Sequence, residues 1–139
     1  MSLLTIGFLA VGLMLLVVAV DVAAVQLART QLWDAADGAA LDGSDALARD
    51  VLYDRGLGAE VPVTDATVGD AARRYLAGLD RPRLVTSWRV DGAAADGGQG
   101  AVVRVTGHVD LPLVGPVVEA FSDGVTVTVE SHARARTSP

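Results

Sequence analysis

The chain has 139 residues, a net charge of −6 and no cysteine. Such a length holds one domain, and the missing cysteines exclude a disulfide framework, a thiolate metal site and a thiol nucleophile. All 11 basic residues are arginine, set against 17 acids, which argues against a binder whose affinity rests on neutralising nucleic-acid phosphates.

The charges are unevenly placed. No charged side chain occurs from Met1 to Val20, and every Asp, Glu and Arg lies from Asp21 onward. The stretch from Leu3 to Val20 has Thr5 as its only strongly polar side chain, and as a helix it spans about 27 Å. That nearly matches a hydrocarbon core of about 30 Å. A cleaved secretory signal has a basic start and a shorter apolar centre; this segment has neither, so it reads as a retained membrane helix. The rest of the chain is too small to wrap such a helix on all sides. The α-amine is the only cation on the N-terminal side, and Arg29 lies on the other side, against the positive-inside rule. The expected orientation nonetheless puts the N-terminus inside and the Val-rich remainder outside the cell.

Helical periodicity continues after Asp21, and no proline occurs before Pro62. Val25, Ala28, Leu32, Ala36 and Ala39 fall on one stripe, opposite Gln26, Thr30, Gln31, Asp34, Asp37 and Asp42. The small side chains of the stripe either let another helix come close or reflect the helix propensity of alanine. Gly43 is expected to bend or interrupt the helix, with Ser44 capping a further piece whose apolar side is Leu47, Val51 and Leu52. Arg55 and Gly56 form a stop signal.

A short helix is expected over Asp65 to Leu79, with Thr67 as cap and Val68, Tyr75, Leu76 and Leu79 at helical spacing. Beyond Pro82 the period becomes two. Leu84, Thr86, Trp88 and Val90 alternate with Val85, Ser87 and Arg89; Val103, Val105, Val109 and Leu111 with Arg104, Thr106 and His108; Val125, Val127 and Val129 with Thr126, Thr128 and Glu130. The fold class is therefore α+β: a long N-terminal membrane helix, a short helix and a three-stranded antiparallel sheet. Its apolar face is covered by the short helix and the later turns of the first. A register placing Arg104 opposite Glu130 also places Thr106 opposite Thr128, two favourable cross-strand pairs. Residues 92–100 read as a flexible connection. The connection Pro112 to Phe121 is too apolar for a solvated loop; Leu113, Val114, Val117, Val118 and Phe121 either fold back over the sheet or meet a partner or the membrane surface.

Little in this set suggests catalysis. His108 and His132 fall on polar strand faces without the partners that metal binding or acid–base chemistry needs. Asp42, Asp45, Asp50 and Asp54 lack the alternate-position loop of a calcium hand and read as a solvated helix face. No nucleophile elbow, phosphate loop or zinc spacing occurs. Asp21 reads as the exit from the membrane into the headgroup zone rather than as a functional intramembrane acid.

The run Asp21-Val22, Ala28-Arg29, Leu32, Ala35-Ala36-Asp37 and Ala39-Ala40-Leu41, directly after an apolar helix, resembles the N-terminal signature of tight-adherence (Flp) pilus-assembly proteins of the TadE/TadG-like type. The resemblance covers about the first 45 residues. Trp33 stands where that pattern has Gln, and Gly38 and Asp42 where it has Ala. The Arg-Gly pair that usually precedes the apolar helix is missing, so the expectation is a start displaced by processing or gene-start assignment. Thr5 replaces the Glu found at the fifth position of processed type IV pilins, which points to a minor or accessory rather than a major subunit. The resemblance implies work in building or capping pili and no catalytic residues; no enzymatic activity, cofactor or metal is expected.

The expected organisation is a transmembrane segment over 1–20, a helix continuing out of the membrane over 21–56, and a small extracytoplasmic α+β domain over 57–139. The expected function is that of a single-pass minor pilin-like or accessory subunit in Tad/Flp-type pilus assembly, incorporated in a surface filament or resident in the cytoplasmic membrane. Its partners would be the membrane and other pilus subunits, met through Asp21, Val25, Ala28, Arg29, Leu32, Ala36, Asp37, Ala39 and Ala40. Neither nucleic acid nor a small-molecule substrate is expected. The alternative is a membrane-tethered binding or adhesion module unrelated to pili.

Overall fold

The computed structural model describes residues 2–57, 65–96, 100–115 and 124–134, with side chains in the first helix described as far as Arg49. That helix, α1, runs unbroken from Ser2 to Leu57 and is about 84 Å long at 1.5 Å per residue. The expected bend at Gly43 does not occur. Ser44 is interior to the helix and donates its hydroxyl back to the Leu41 carbonyl at 2.9 Å, so it is not a cap. Gly43 serves a close approach instead. A Cβ there would lie 3.0 Å from Val68 Cγ1 and 3.4 Å from the Ala101 Cβ, so the glycine lets the second helix and the sheet meet α1 at one point. Leu47 is buried as expected, whereas the Val51 and Leu52 side chains lie outside the described residues. The helix ends one residue past Gly56, within the usual spread of helix boundaries.

The second helix, α2, spans Asp65–Gly78 and buries Val68, Ala71, Ala72 and Leu76. Asp65 rather than Thr67 opens it, placing a carboxylate in the first turn, where the helix dipole is positive. That carboxylate also accepts the Ala95 amide at 2.9 Å, tying the start of α2 to the sheet.

The strands β1 (Val85–Asp96), β2 (Gly100–Val109) and β3 (Val125–Arg134) form an antiparallel sheet in that order. Arg104 pairs with Glu130 and Thr106 with Thr128, the register that charge and hydroxyl matching predicts. β1 departs from expectation in two places. Irregularities between Val85 and Ser87 and between Val90 and Gly92 each insert one residue, which resets the alternation. Val85, Trp88, Val90, Ala93 and Ala95 therefore all pack on the core, and Thr86 faces outward, donating its hydroxyl to the His108 carbonyl. The second irregularity also corrects the expectation for 92–100. Residues 92–96 continue the strand, paired against 100–104, because small Ala side chains at 93 and 95 fit beneath α2.

Both helices cover the same face of the sheet, α1 over β2 and β3, α2 over β1, and a single core joins them. Gly43 meets Ala101 at one end and Leu32 meets Gly107 further down. Six strand residues advance about 20 Å while eleven helix residues advance about 16 Å, so the strands lie in the same general direction as α1 but obliquely to its axis. Gly107 is the second close approach: a Cβ there would sit 2.8 Å from Leu32 Cδ2 and 3.3 Å from Val85 Cγ1. Gly107→Val should therefore cost about 1–3 kcal/mol of stability through overpacking, despite the strand propensity of valine. Thermal melts in detergent check this, with Leu32→Ala in the same chain expected to recover part of the loss.

Candidate functional site

The first third of α1 is apolar around almost its whole circumference, and its large side chains are exposed. Exposure runs from 88% at Leu3 to 43% at Val20, and an 18-residue window reaches a mean hydropathy of 2.8 with no part buried. At about 1.5–3 kcal/mol for each large side chain moved into an apolar medium, leaving this segment in water is unfavourable by tens of kcal/mol. Its length and composition suffice to cross a membrane.

Asp21 ends this segment in a way the sequence reading did not anticipate. It stands where the apolar run stops, yet only 6% of it is exposed. Its two carboxylate oxygens accept the backbone amides of Leu113 and Val114, each at 3.0 Å. Those amides belong to a turn closed by the Gly115 amide on the Leu111 carbonyl at 2.9 Å. Amides at the start of such a turn have no acceptor within it, and Pro112 offers no N–H, so the carboxylate caps the turn from the far end of the sequence. Of the apolar residues expected to meet a partner, Leu113 is 46% exposed. Val114 lines a cleft of about 350 Å³ with Val18, Val22, Val25, Leu111 and Val125, beside Asp21. Val117, Val118 and Phe121 lie outside the described residues.

The small-residue stripe is already covered. Ala28, Leu32, Ala36, Ala39 and Ala40 are fully buried in the core shared with α2 and the sheet, and Val25 packs against its margin. In this structure the stripe is occupied by the chain's own second helix and sheet, which its small side chains admit. Two of the expected contact residues lie to the side. Arg29 is exposed over the Trp33 ring at 5.6 Å from its centroid, and Asp37 accepts the Ser131 hydroxyl at 2.6 Å. Beyond Asp21, α1 leaves Val22, Leu27, Trp33 and Leu41 about half exposed on its open face.

The outer face of the sheet is polar and internally paired. Arg104 donates to Glu130 at 2.6 and 3.1 Å, and His132 adds a contact at 3.2 Å. Arg89 donates to Asp91 at 2.7 Å. Thr106 gives its one proton to Asp91 at 2.7 Å, so Thr128 is the donor in the 2.9 Å contact between the two threonines. The Arg104 hydrogen bond holds the Glu130 carboxyl below its ordinary range, and the Arg89 and Thr106 bonds do the same for Asp91. Among the described residues no group of three or more His, Asp or Glu is placed to hold a metal ion.

Residues 1–50 match the family model for TadE/G-like Flp pilus assembly. The N-terminal segment is Tad-like. No curated protein and no solved structure matches the chain. The Tad match takes in the exposed apolar segment, Asp21 and the buried stripe, so it spans both the anchor and the part of α1 that organises the head. The Tad/Flp family is one of structure and assembly. With the apolar helix, the match points to a membrane-anchored role related to Tad pilus assembly.

Two outcomes are expected. Asp21→Ala removes two hydrogen bonds to a charged acceptor, a loss of about 1.5–3 kcal/mol. Hydrogen exchange at the Leu113 and Val114 amides should then accelerate roughly 10- to 100-fold, with the Thr106 and Val129 amides unchanged. Glu130 and Asp91 have depressed folded pKa values, so their stabilisation is complete above the ordinary carboxylate range and is lost as pH falls through the lower folded values. Melting temperature should decline along that acid limb, and Glu130→Gln should flatten it.

Proposed function

We propose that this chain is a minor pilin-like or accessory subunit of a Tad/Flp-type pilus-assembly system, held in the cytoplasmic membrane by residues 1–20 as a single-pass anchor. Helix residues 21–56 and the domain of 57–139 act together outside the cell as one head. The observation that carries this reading is the wholly uncovered apolar segment continuous with a packed head, within a stretch matched to TadE/G-like Flp pilus assembly.

The mechanism is mechanical. Because α1 continues without a break into the head, the anchor cannot tilt or rotate without carrying the sheet with it. Asp21 fastens the 111–115 turn to the helix where the apolar surface ends, which sets the head flush with the membrane. Leaving the bilayer for a filament would require the helices of neighbouring subunits to replace lipid around Leu3–Val20, since water is excluded by tens of kcal/mol. The lateral contacts of the anchor are therefore with apolar helices, and the head decides which neighbours fit.

Full-length chain expressed with its pilus system should resist alkaline carbonate extraction, lose its head to external protease, and cross-link to pilus components in membranes or sheared filaments. A chain that is freely soluble and monomeric without detergent would overturn the proposal. Recovery in membranes alone, with no cross-link to any pilus component, would favour the tethered binding module.

A further inference from the structure

We propose that the two edges of the head form the complementary halves of a head-to-tail contact between copies of this chain. This rests on the membrane-anchored reading above and names one of the partners. At one edge, α1 and β3 enclose a groove of about 320 Å³ lined by Trp33, Asp34, Asp37, Glu130, Ser131 and His132. At the other, α2 and β1 enclose a groove of about 270 Å³ lined by Arg73, Leu76, Ala77, Trp88, Arg89 and Val90. β1 and β3 are the outer strands of the sheet, so the grooves open in opposite directions. Each holds one of the chain's two tryptophans.

Three observations fit one groove to the other. The first is height. Trp88 pairs with Gly107, and Gly107 faces Leu32, the neighbour of Trp33. Val90 pairs with Val105 and through it with Val129, next to the Glu130 and Ser131 of the other groove. Both grooves therefore lie at the same level along α1. Copies anchored in one membrane at one depth present them to each other without tilt.

The second is charge. From Arg29 to Asp45, α1 carries Asp34, Asp37, Asp42 and Asp45 against a single arginine, whereas residues 65–91 carry Arg73, Arg74, Arg81, Arg83 and Arg89 against four aspartates. Arg73 and Arg89 each hold an aspartate on their own element, but a guanidinium has five N–H donors and each retains some for a partner. The third is shape and polarity. Trp33 is 53% exposed, a large aromatic of the kind that anchors interfaces, and the opposite groove offers the apolar side chains of Leu76, Ala77, Trp88 and Val90 to receive it.

Charge also selects the symmetry. A shared membrane keeps all copies parallel, which permits either a two-fold contact of like edges or a contact of unlike edges. The two-fold contact at the β3 edge sets Asp34 and Asp37 against themselves. The unlike contact sets them against Arg73 and Arg89, and because it is heterologous it extends into a row rather than closing as a dimer.

The absence of native cysteine makes the test direct. Asp34→Cys with Arg73→Cys in one full-length chain, treated in membranes with a short thiol-reactive cross-linker, should give a ladder of dimer, trimer and higher species. Either substitution alone should give none. Without cysteines, Asp34→Arg should lower self-association, read by energy transfer in vesicles, by tenfold or more. Asp34→Arg with Arg73→Asp should restore it, and unchanged melting of each variant assigns the effect to the contact. A double-cysteine chain that stays monomeric while remaining carbonate-resistant would overturn this contact and leave the anchoring intact. So would dimers from Asp34→Cys alone. A carbonate-extractable chain would instead overturn the anchoring reading itself.

Discussion

One helix passes through two solvents, and the change between them organises the molecule. Up to Val20, α1 is apolar on every side and uncovered; from Asp21 it is one-sided, with its alanine stripe sealed against the sheet. An amphipathic helix this thin on its buried side gains little from large side chains. The gain comes from closeness, since alanines and Gly43 bring the helix axis down to the sheet and let Leu32 and Leu47 fill what space remains. Packing at that distance seats the helix on the sheet from Ala28 to Leu47.

The transition needs a device, because apolar surface that continued to grow past the membrane would leave the head free to sink or lift. Asp21 supplies it. A carboxylate placed against an apolar cleft is unfavourable unless its charge is met, and the two amides of the 111–115 turn meet it from the head. The acid is thereby a boundary and a fastener together. In the proposed anchored state, lowering the head into lipid would carry this paired charge into hydrocarbon, and raising it would expose Val18 to water.

Much of this was legible in the sequence. The charge-free run to Val20, the helix over 65–79 and the period-two stretches each depend on patterns local enough to read directly, and the Arg104–Glu130 register followed from pairing chemistry across two strands. What escaped reading is non-local. Gly43 looks like a helix breaker until Val68 and Ala101 are known to press on it. The stripe from Ala28 to Ala40 offers itself equally to another subunit and to the chain's own sheet, because periodicity says that a face is apolar but not what covers it. The β1 irregularities hide because Ala93 and Ala95 are too small to mark a face by hydropathy. Asp21 looks like a boundary charge, and only the turn at 111–115, whose Leu113 and Val114 amides donate to its carboxylate, reveals its second role.

Once the stripe is sealed internally, the division of labour along α1 shifts. In the proposed assembly, contacts between the helices of neighbouring copies fall to the anchor, where apolar side chains on all sides impose little directional preference. Selectivity then has to reside in the head, where charge and shape differ from edge to edge: Trp33 with Asp34 and Asp37 on one side, Arg73 and Arg89 around an apolar groove on the other. A permissive anchor with a discriminating head lets a subunit remain dispersed in lipid, where no hydrophobic driving force pulls the anchors together. On the proposed edge-to-edge contact, assembly is triggered by meeting the correct partner edge rather than by hydrophobicity.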